Sequence, residues 1–399
     1  MIRAGGTPYA YPIIEWRVVR QTIRPGVRVG RTSIHCWSSN FTDATSNAGR
    51  CAMAHPAAKR NAISFIPAPA HILHWTKLGA TFDFGIYPGG MAGSDTGILT
   101  GVPDDLDAAV AALAELQGDA PRLIVRCYDS FQDEGSTLWN NPSAPRDFVR
   151  YAAPPQRPMD LVLQYRSASA DVAGYLDFVR RRIDDYAPLL YSVQITEEAN
   201  FVEGPPVIDG PYPEVARALV EGVRAAKRRL AEVGRPDVKV GFSATPTFGA
   251  NAGFWTRIAG VEPDYAGLDF FPDVFSPIAS EKLASTVVAV LETMRGAWMP
   301  AAGLDASIPI HICEHGWPTP AGRTYVRQAE VIEEVIRTIH ADRERLNVAR
   351  YTHFALRDVA LPGPQNETDL FSFFGILRAN YERKPAFDTY RRLIAELAV

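Results

Sequence analysis

Cysteine is scarce: the chain has 399 residues and only four cysteines, Cys36, Cys51, Cys127 and Cys313. They form no CxxC pair and no Cys/His spacing suited to zinc, which argues against a structural zinc site or a disulfide framework. Cys127 and Cys313 sit inside apolar runs, where a thiol acts as a small inert hydrophobe. A reducing compartment is therefore expected. No apolar run is long enough to cross a bilayer. The first residues, Met1-Ile2-Arg3-Ala4-Gly5-Gly6-Thr7-Pro8, lack the apolar core of an export signal, so a cytoplasmic location is expected. The formal net charge of -4 gives no positive field to attract nucleic acid, and a neutral substrate suits it better. GxGxxG and P-loop signatures are missing as well. Gly89-Gly90-Met91-Ala92-Gly93 has neither spacing and reads as a flexible loop.

The composition is that of an ordinary globular enzyme, 47% hydrophobic and 22% charged. Residues 1–75 differ from the rest. Arg3, Arg17, Arg20, Arg24, Arg28, Arg31, Arg50, Lys59 and Arg60 face only Glu15 and Asp43, and no helical period holds. This stretch reads as a basic, poorly structured N-terminal extension, with a transit peptide or a small cap as alternatives. Residues 76–399 read as one catalytic domain.

From about residue 79 short apolar runs alternate with amphipathic stretches. Eight strands are expected, at 81–87, 122–128, 160–165, 190–196, 238–243, 266–271, 309–314 and 351–356. Their cores are continuous rather than alternating, as in parallel strands buried on both faces. Stripes at spacings of three and four mark the helices between them, for example Val172, Tyr175, Val179 and Ile183. Eight strand–helix units fit an α/β closed barrel, the (β/α)8 TIM barrel, whose active site lies at the C-terminal ends of its strands.

Two of these strands end in acid. The fourth closes with Thr196-Glu197-Glu198-Ala199-Asn200. The seventh closes with Cys313-Glu314-His315-Gly316-Trp317-Pro318-Thr319. Strands four and seven lie on opposite sides of an eight-stranded mouth, so their carboxyls are placed to flank one bond. Hydrolysis of an acetal needs such a pair. One carboxyl protonates the leaving oxygen while the other, ionised, meets positive charge growing at the anomeric carbon.

The chain here resembles a large clan of retaining glycoside hydrolases, which carry the acid/base after strand four and the nucleophile after strand seven. The segment from Glu314 to Thr319 is similar to that clan's E-x-G-W-P-T nucleophile segment. Glu197-Glu198-Ala199-Asn200 is similar to its N-E-P-N acid/base segment. Phe374-Gly375-Ile376-Leu377-Arg378, with Lys384-Pro385-Ala386-Phe387, looks like its last barrel unit. The resemblance covers roughly residues 79–399. It implies Glu314 as nucleophile, Glu198 as acid/base and Arg126, ending strand two, as the cation that holds Glu314 as a carboxylate. Asn200 supports the acid/base segment. Glu197 replaces the clan's asparagine and could accept a sugar hydroxyl or, alternatively, be the donor itself. Neighbouring strand residues face opposite ways, so full entry of both Glu197 and Glu198 is not expected.

Two departures stand out. The sixth strand offers Phe270 and Phe271 where the clan has a tyrosine, and His353 lies near the place of a strand-eight tryptophan. Trp317, Trp139, Tyr128, Phe201, Phe271 and His353 are the candidate sugar-contacting residues. The expected function is hydrolysis of a β-linked oligosaccharide, polysaccharide or small glycoside, without metal or cofactor. A catalytically weakened carbohydrate-binding barrel is the second class. A metal-using barrel built on His311, His315 and His353 is the third and has no HxH pair behind it.

Overall fold

The computed structural model describes residues 81–89, 91–94, 97–100, 104–133, 148–204, 207–246, 252–359 and 370–398. The expected basic extension, residues 1–75, lies outside them, as does Trp139.

Eight parallel strands close a barrel, each paired with its neighbours in chain order. They are β1 (Asp83–Tyr87), β4 (Ile124–Gln132), β5 (Met159–Arg166), β6 (Leu190–Ile195), β7 (Lys239–Ala244), β8 (Tyr265–Asp269), β9 (Ile310–His315) and β10 (Val348–Phe354). Each matches one expected strand. The ring is shut where β1 pairs with β10, Phe84 opposite Tyr351 and Ile86 opposite His353. Two further strands, β2 (Met91–Ser94) and β3 (Gly97–Thr100), pair antiparallel with Met91 opposite Thr100. The Gly-rich stretch after the first strand is therefore a hairpin and not the irregular loop expected. Its strands are only four residues each, too short for an apolar pattern to show.

Helices cover the barrel: α1 (Leu106–Gln117), α2 (Phe148–Tyr151), α3 (Val172–Tyr186), α4 (Val215–Glu232), α5 (Ala252–Arg257), α6 (Ser280–Thr293), α7 (Met299–Ala301), α8 (Tyr325–Leu346) and α9 (Pro385–Leu397). Their starts are signalled locally. Asp105 accepts the amides of Asp107 and Ala108 ahead of α1, Asp171 accepts that of Gly174 ahead of α3, and Thr324 accepts that of Arg327 ahead of α8. The α3 stripe is buried as its spacing predicts, with Val172, Tyr175, Val179 and Ile183 against the barrel. Among the described residues no helix is long and apolar enough to cross a membrane.

The barrel interior is polar below its mouth. Asp160 accepts from Arg126 at 2.7 Å and from Arg350 at 3.0 Å, and Ser192 donates to its other oxygen. All four side chains are buried. Burial alone would raise the Asp160 carboxyl, but Arg350 and Arg126 bring it down to about 2. This layer supports Arg126 from beneath.

Candidate active site

Glu314 ends β9 with its carboxyl toward the mouth, while the next residue, His315, turns outward to Tyr351. Burial depresses His315 to about 3, so it stays neutral. Two groups on one strand converge on Glu314. Arg126 Nη2 lies 3.5 Å from Oε1, and the Tyr128 hydroxyl bonds the same oxygen. Arg126 and Tyr128 are two residues apart on β4 and so share a face. Arg126 Nε donates to the Tyr128 hydroxyl at 2.6 Å. A guanidinium can only donate, so the phenolic hydrogen is left for Glu314. Burial pushes the Tyr128 phenol well above its usual range despite Arg126, so it keeps that hydrogen.

Across the mouth β6 stops at Ile195. Thr196 and Glu198 then take left-handed backbone conformations, φ 62° and 44°. Glu197 and Glu198 thus lie on a turn, and the alternation of an extended strand does not apply to them. The charge of Glu314 reaches both carboxyls. Burial pushes Glu197 well above the usual carboxylic range, Glu314 adds to this, and Arg166 opposes it. Glu198 is raised by burial, then by Asp269 and Glu314. Gln164 on β5 donates to Glu197. The Glu197 backbone amide donates to Asp209 Oδ2 at 2.8 Å, as does that of Tyr165, also at 2.8 Å. Asn200 spends its side chain on the Thr245 backbone, accepting at 2.9 Å and donating at 2.7 Å. Its place is structural: it ties the Glu198 turn to the end of β7.

Two buried groups, Asp269 and Ser243, escaped the sequence reading. Asp269, wholly buried at the end of β8, accepts from Ser243 Oγ at 2.5 Å. Burial and Glu314 push its carboxyl well above the usual range. The signal was available, since Leu268-Asp269 closes an apolar run as Cys313-Glu314 does.

The proposed sugar-contacting residues divide. Tyr128 reaches the site by its hydroxyl, not as a stacking face. Trp317 is 5% exposed; its Nε1 donates to the Asp273 carbonyl at 3.1 Å, and the Arg323 guanidinium lies 4.6 Å from its ring centre. It anchors the loop after β9. Phe201 packs on Val207 and Ile208. His353 is fully buried against Tyr390 of α9, ring centres 5.2 Å apart, and so faces the helix layer. Phe354 takes the inner position instead. It stacks on Tyr87 at 5.1 Å, and its ring meets Phe271 edge-on at 6.4 Å. Ordinary alternation along β10 sets this: Arg350 reaches Asp160 in the interior and Phe354 shares its face, while Tyr351 and His353 both meet Tyr390. Tyr87 also meets Tyr128 edge-on at 5.3 Å, so an aromatic surface runs from the Glu314 partner to half-buried Phe271. Among the described residues no group of three or more His, Cys, Asp or Glu could hold a metal ion, and His311 is stacked on Tyr265 at 4.1 Å.

No family model and no curated protein sequence matches the chain. Solved structures do. A β-glucuronidase from Ruminococcus gnavus, in complex with uronic deoxynojirimycin, aligns with TM-score 0.52 and 11% identity, over 79% of this chain and 49% of that one. A GH2 β-galacturonidase from Eisenbergiella tayi, bound to galacturonate, aligns at 0.50 and 11%, over 74% and 48%. A GH5 protein from Streptomyces cattleya, in complex with Manβ1-4GlcNAc, aligns at 0.51 and 14%, over 73% and 76%. The likeness is one of fold. The chain spans about half the length of the first two.

Proposed function

We propose that the protein hydrolyses a β-linked O-glycoside with net retention of configuration. A Glu314 oxygen attacks the anomeric carbon as the bond to the aglycone oxygen breaks, and Glu198 gives its proton to that oxygen. The glycosyl–Glu314 ester is then opened by water. Glu198, now a carboxylate, takes one water hydrogen while the hydroxyl bonds the anomeric carbon and Glu314 is released. A retaining pair works about 5–5.5 Å apart. No metal or cofactor enters either step.

One observation supports the reading: Glu198, after the fourth barrel strand, and Glu314, on the seventh, lie near enough for the charge of Glu314 to raise Glu198, and their surroundings are unlike. Glu314 has a cation and a phenolic donor. Glu198 has burial and two carboxyl neighbours, which keep a proton on it. Such a split is what acid and nucleophile need. Glu197, Phe271 and His353 motivated the weakened, carbohydrate-binding class. Tyr128 brings a hydroxyl to Glu314 from the second barrel strand, which answers the lack of one at Phe271. Glu314→Gln tests the reading. It is expected to abolish turnover of nitrophenyl β-glycosides with the far-ultraviolet circular dichroism unchanged, and undiminished turnover would end the assignment.

A further inference from the structure

The turn bearing Glu198 needs an external support. Thr196 and Glu198, neither of them glycine, hold positive φ angles of 62° and 44°, a conformation that persists only where the surroundings hold it. Support comes from the fifth barrel strand. Ser243 Oγ receives the Glu198 backbone N–H at 3.2 Å and the Gln194 side-chain Nε2 at 3.0 Å. Gln194 cannot be turned over, because the same Nε2 donates at 2.9 Å to the carbonyl of Thr196, which only accepts. With two hydrogens arriving, the single hydrogen of Ser243 goes to Asp269 Oδ2, 2.5 Å away. Asp269 is wholly buried, and its Oδ1 meets no polar partner among the described residues. Its backbone is registered with Glu314, and the amide of Phe270 donates to the Glu314 carbonyl at 2.9 Å. One chain of bonds thus runs from the strand of one catalytic carboxyl to the backbone of the other.

We propose that Ser243 and Asp269 are positioning residues: they fix the backbone of Glu198 so that its carboxyl meets the leaving oxygen in register with Glu314. The inference rests on reading Glu198 as the proton donor. Asp269 acts through Ser243 and touches no reacting atom.

Two measurements test it. First, a crystal structure of Ser243→Ala is expected to show the Glu198 φ leaving the left-handed region, with the carboxyl displaced. An unmoved Glu198 overturns the proposal, whatever the substrate. Second, aryl β-glycosides of graded leaving-group acidity separate positioning from general damage. Ser243→Ala is expected to lose on the order of ten- to a hundredfold in kcat/KM on phenyl glycosides and little on dinitrophenyl glycosides, because only poor leaving groups need the proton. Equal loss on both would make the serine merely structural and overturn the proposal. Ser243→Thr, which keeps the hydroxyl, is expected to restore most of the loss. Asp269→Asn still accepts from Ser243 and is expected to fall between the two. Failure of native protein on every glycoside would count against the glycosidase reading, and the crystallographic arm still decides the positioning.

Discussion

Tyr128 gives its phenolic hydrogen to Glu314 because Arg126, two residues earlier on the same strand, has already filled the hydroxyl oxygen with its own N–H at 2.6 Å. The order of donation is set by chemistry, since a guanidinium cannot accept. One strand therefore delivers both a charge and an oriented donor to Glu314.

Tyr128→Phe removes the donor and keeps the ring against Tyr87. A hydrogen bond to a charged group contributes about 1.5–3 kcal/mol, so kcat/KM is expected to fall by roughly ten- to a hundredfold. Steady-state kinetics on nitrophenyl β-glycosides measures it. A change below twofold would show that the hydroxyl does not serve the nucleophile.

The donor assignment yields a pH prediction. Glu197 and Glu198 are neighbours and ionisation of either opposes that of the other, so Glu197→Gln is expected to move the alkaline limb of the kcat/KM profile to lower pH. The sign follows from removing negative charge next to an acid. Azide is expected to rescue Glu198→Ala and not Glu197→Ala. Rescue of the Glu197 variant alone would exchange their roles.

Asp160 links the barrel interior to stability. Its carboxyl lies at about 2 in the folded chain, below its usual value near 3.9 in the unfolded chain. Its contribution is therefore complete above pH about 4 and is lost as pH falls through 2. The shift corresponds to roughly 2–3 kcal/mol. Asp160→Asn is expected to flatten this part of the acid unfolding curve. It is also expected to cost several kcal/mol at neutral pH, because Arg126 and Arg350 lose their shared counter-ion. Urea titrations between pH 2 and 7 supply both comparisons.

Charge at the mouth predicts selectivity. Arg126 and Arg166 are the cations that bear most on Glu197, Glu198 and Asp269. Both are buried, Arg126 held by Asp160 and Arg166 bonded to the Val207 carbonyl. A uronic acid would bring another negative charge to carboxyls without an open counter-ion among the described residues. Nitrophenyl β-glucuronide is expected to turn over at least about tenfold more slowly than the best neutral glycoside. Equal rates would show that a cation outside these residues serves the site.

The barrel was readable because strands buried on both faces must be apolar throughout, as in Leu161-Val162-Leu163. The hairpin was hidden by the brevity of its strands. At the site, an acid closing an apolar run marked Glu314 and Glu198 and equally marked Asp269. Asp269 went unread because a tyrosine was sought on that strand. Tyr128 could have been found from its spacing to Arg126. The exchange of His353 for Phe354 was readable too, since two-residue alternation puts Phe354 on the face of Arg350 and His353 on that of Tyr351. The turn at Glu197 and Glu198 was not, because positive φ falls there on residues with no sign of glycine.

The seam between β1 and β10 sets the order in which the site comes into being. Glu198 and Glu314 both precede the closing strand along the chain, yet Tyr87 and Phe354 become neighbours only when the first strand zips to the last. Contacts separated by more than 260 residues form late and together. A partly synthesised chain ending before β10 holds every carboxyl of the proposed mechanism and no enclosed mouth in which to use them.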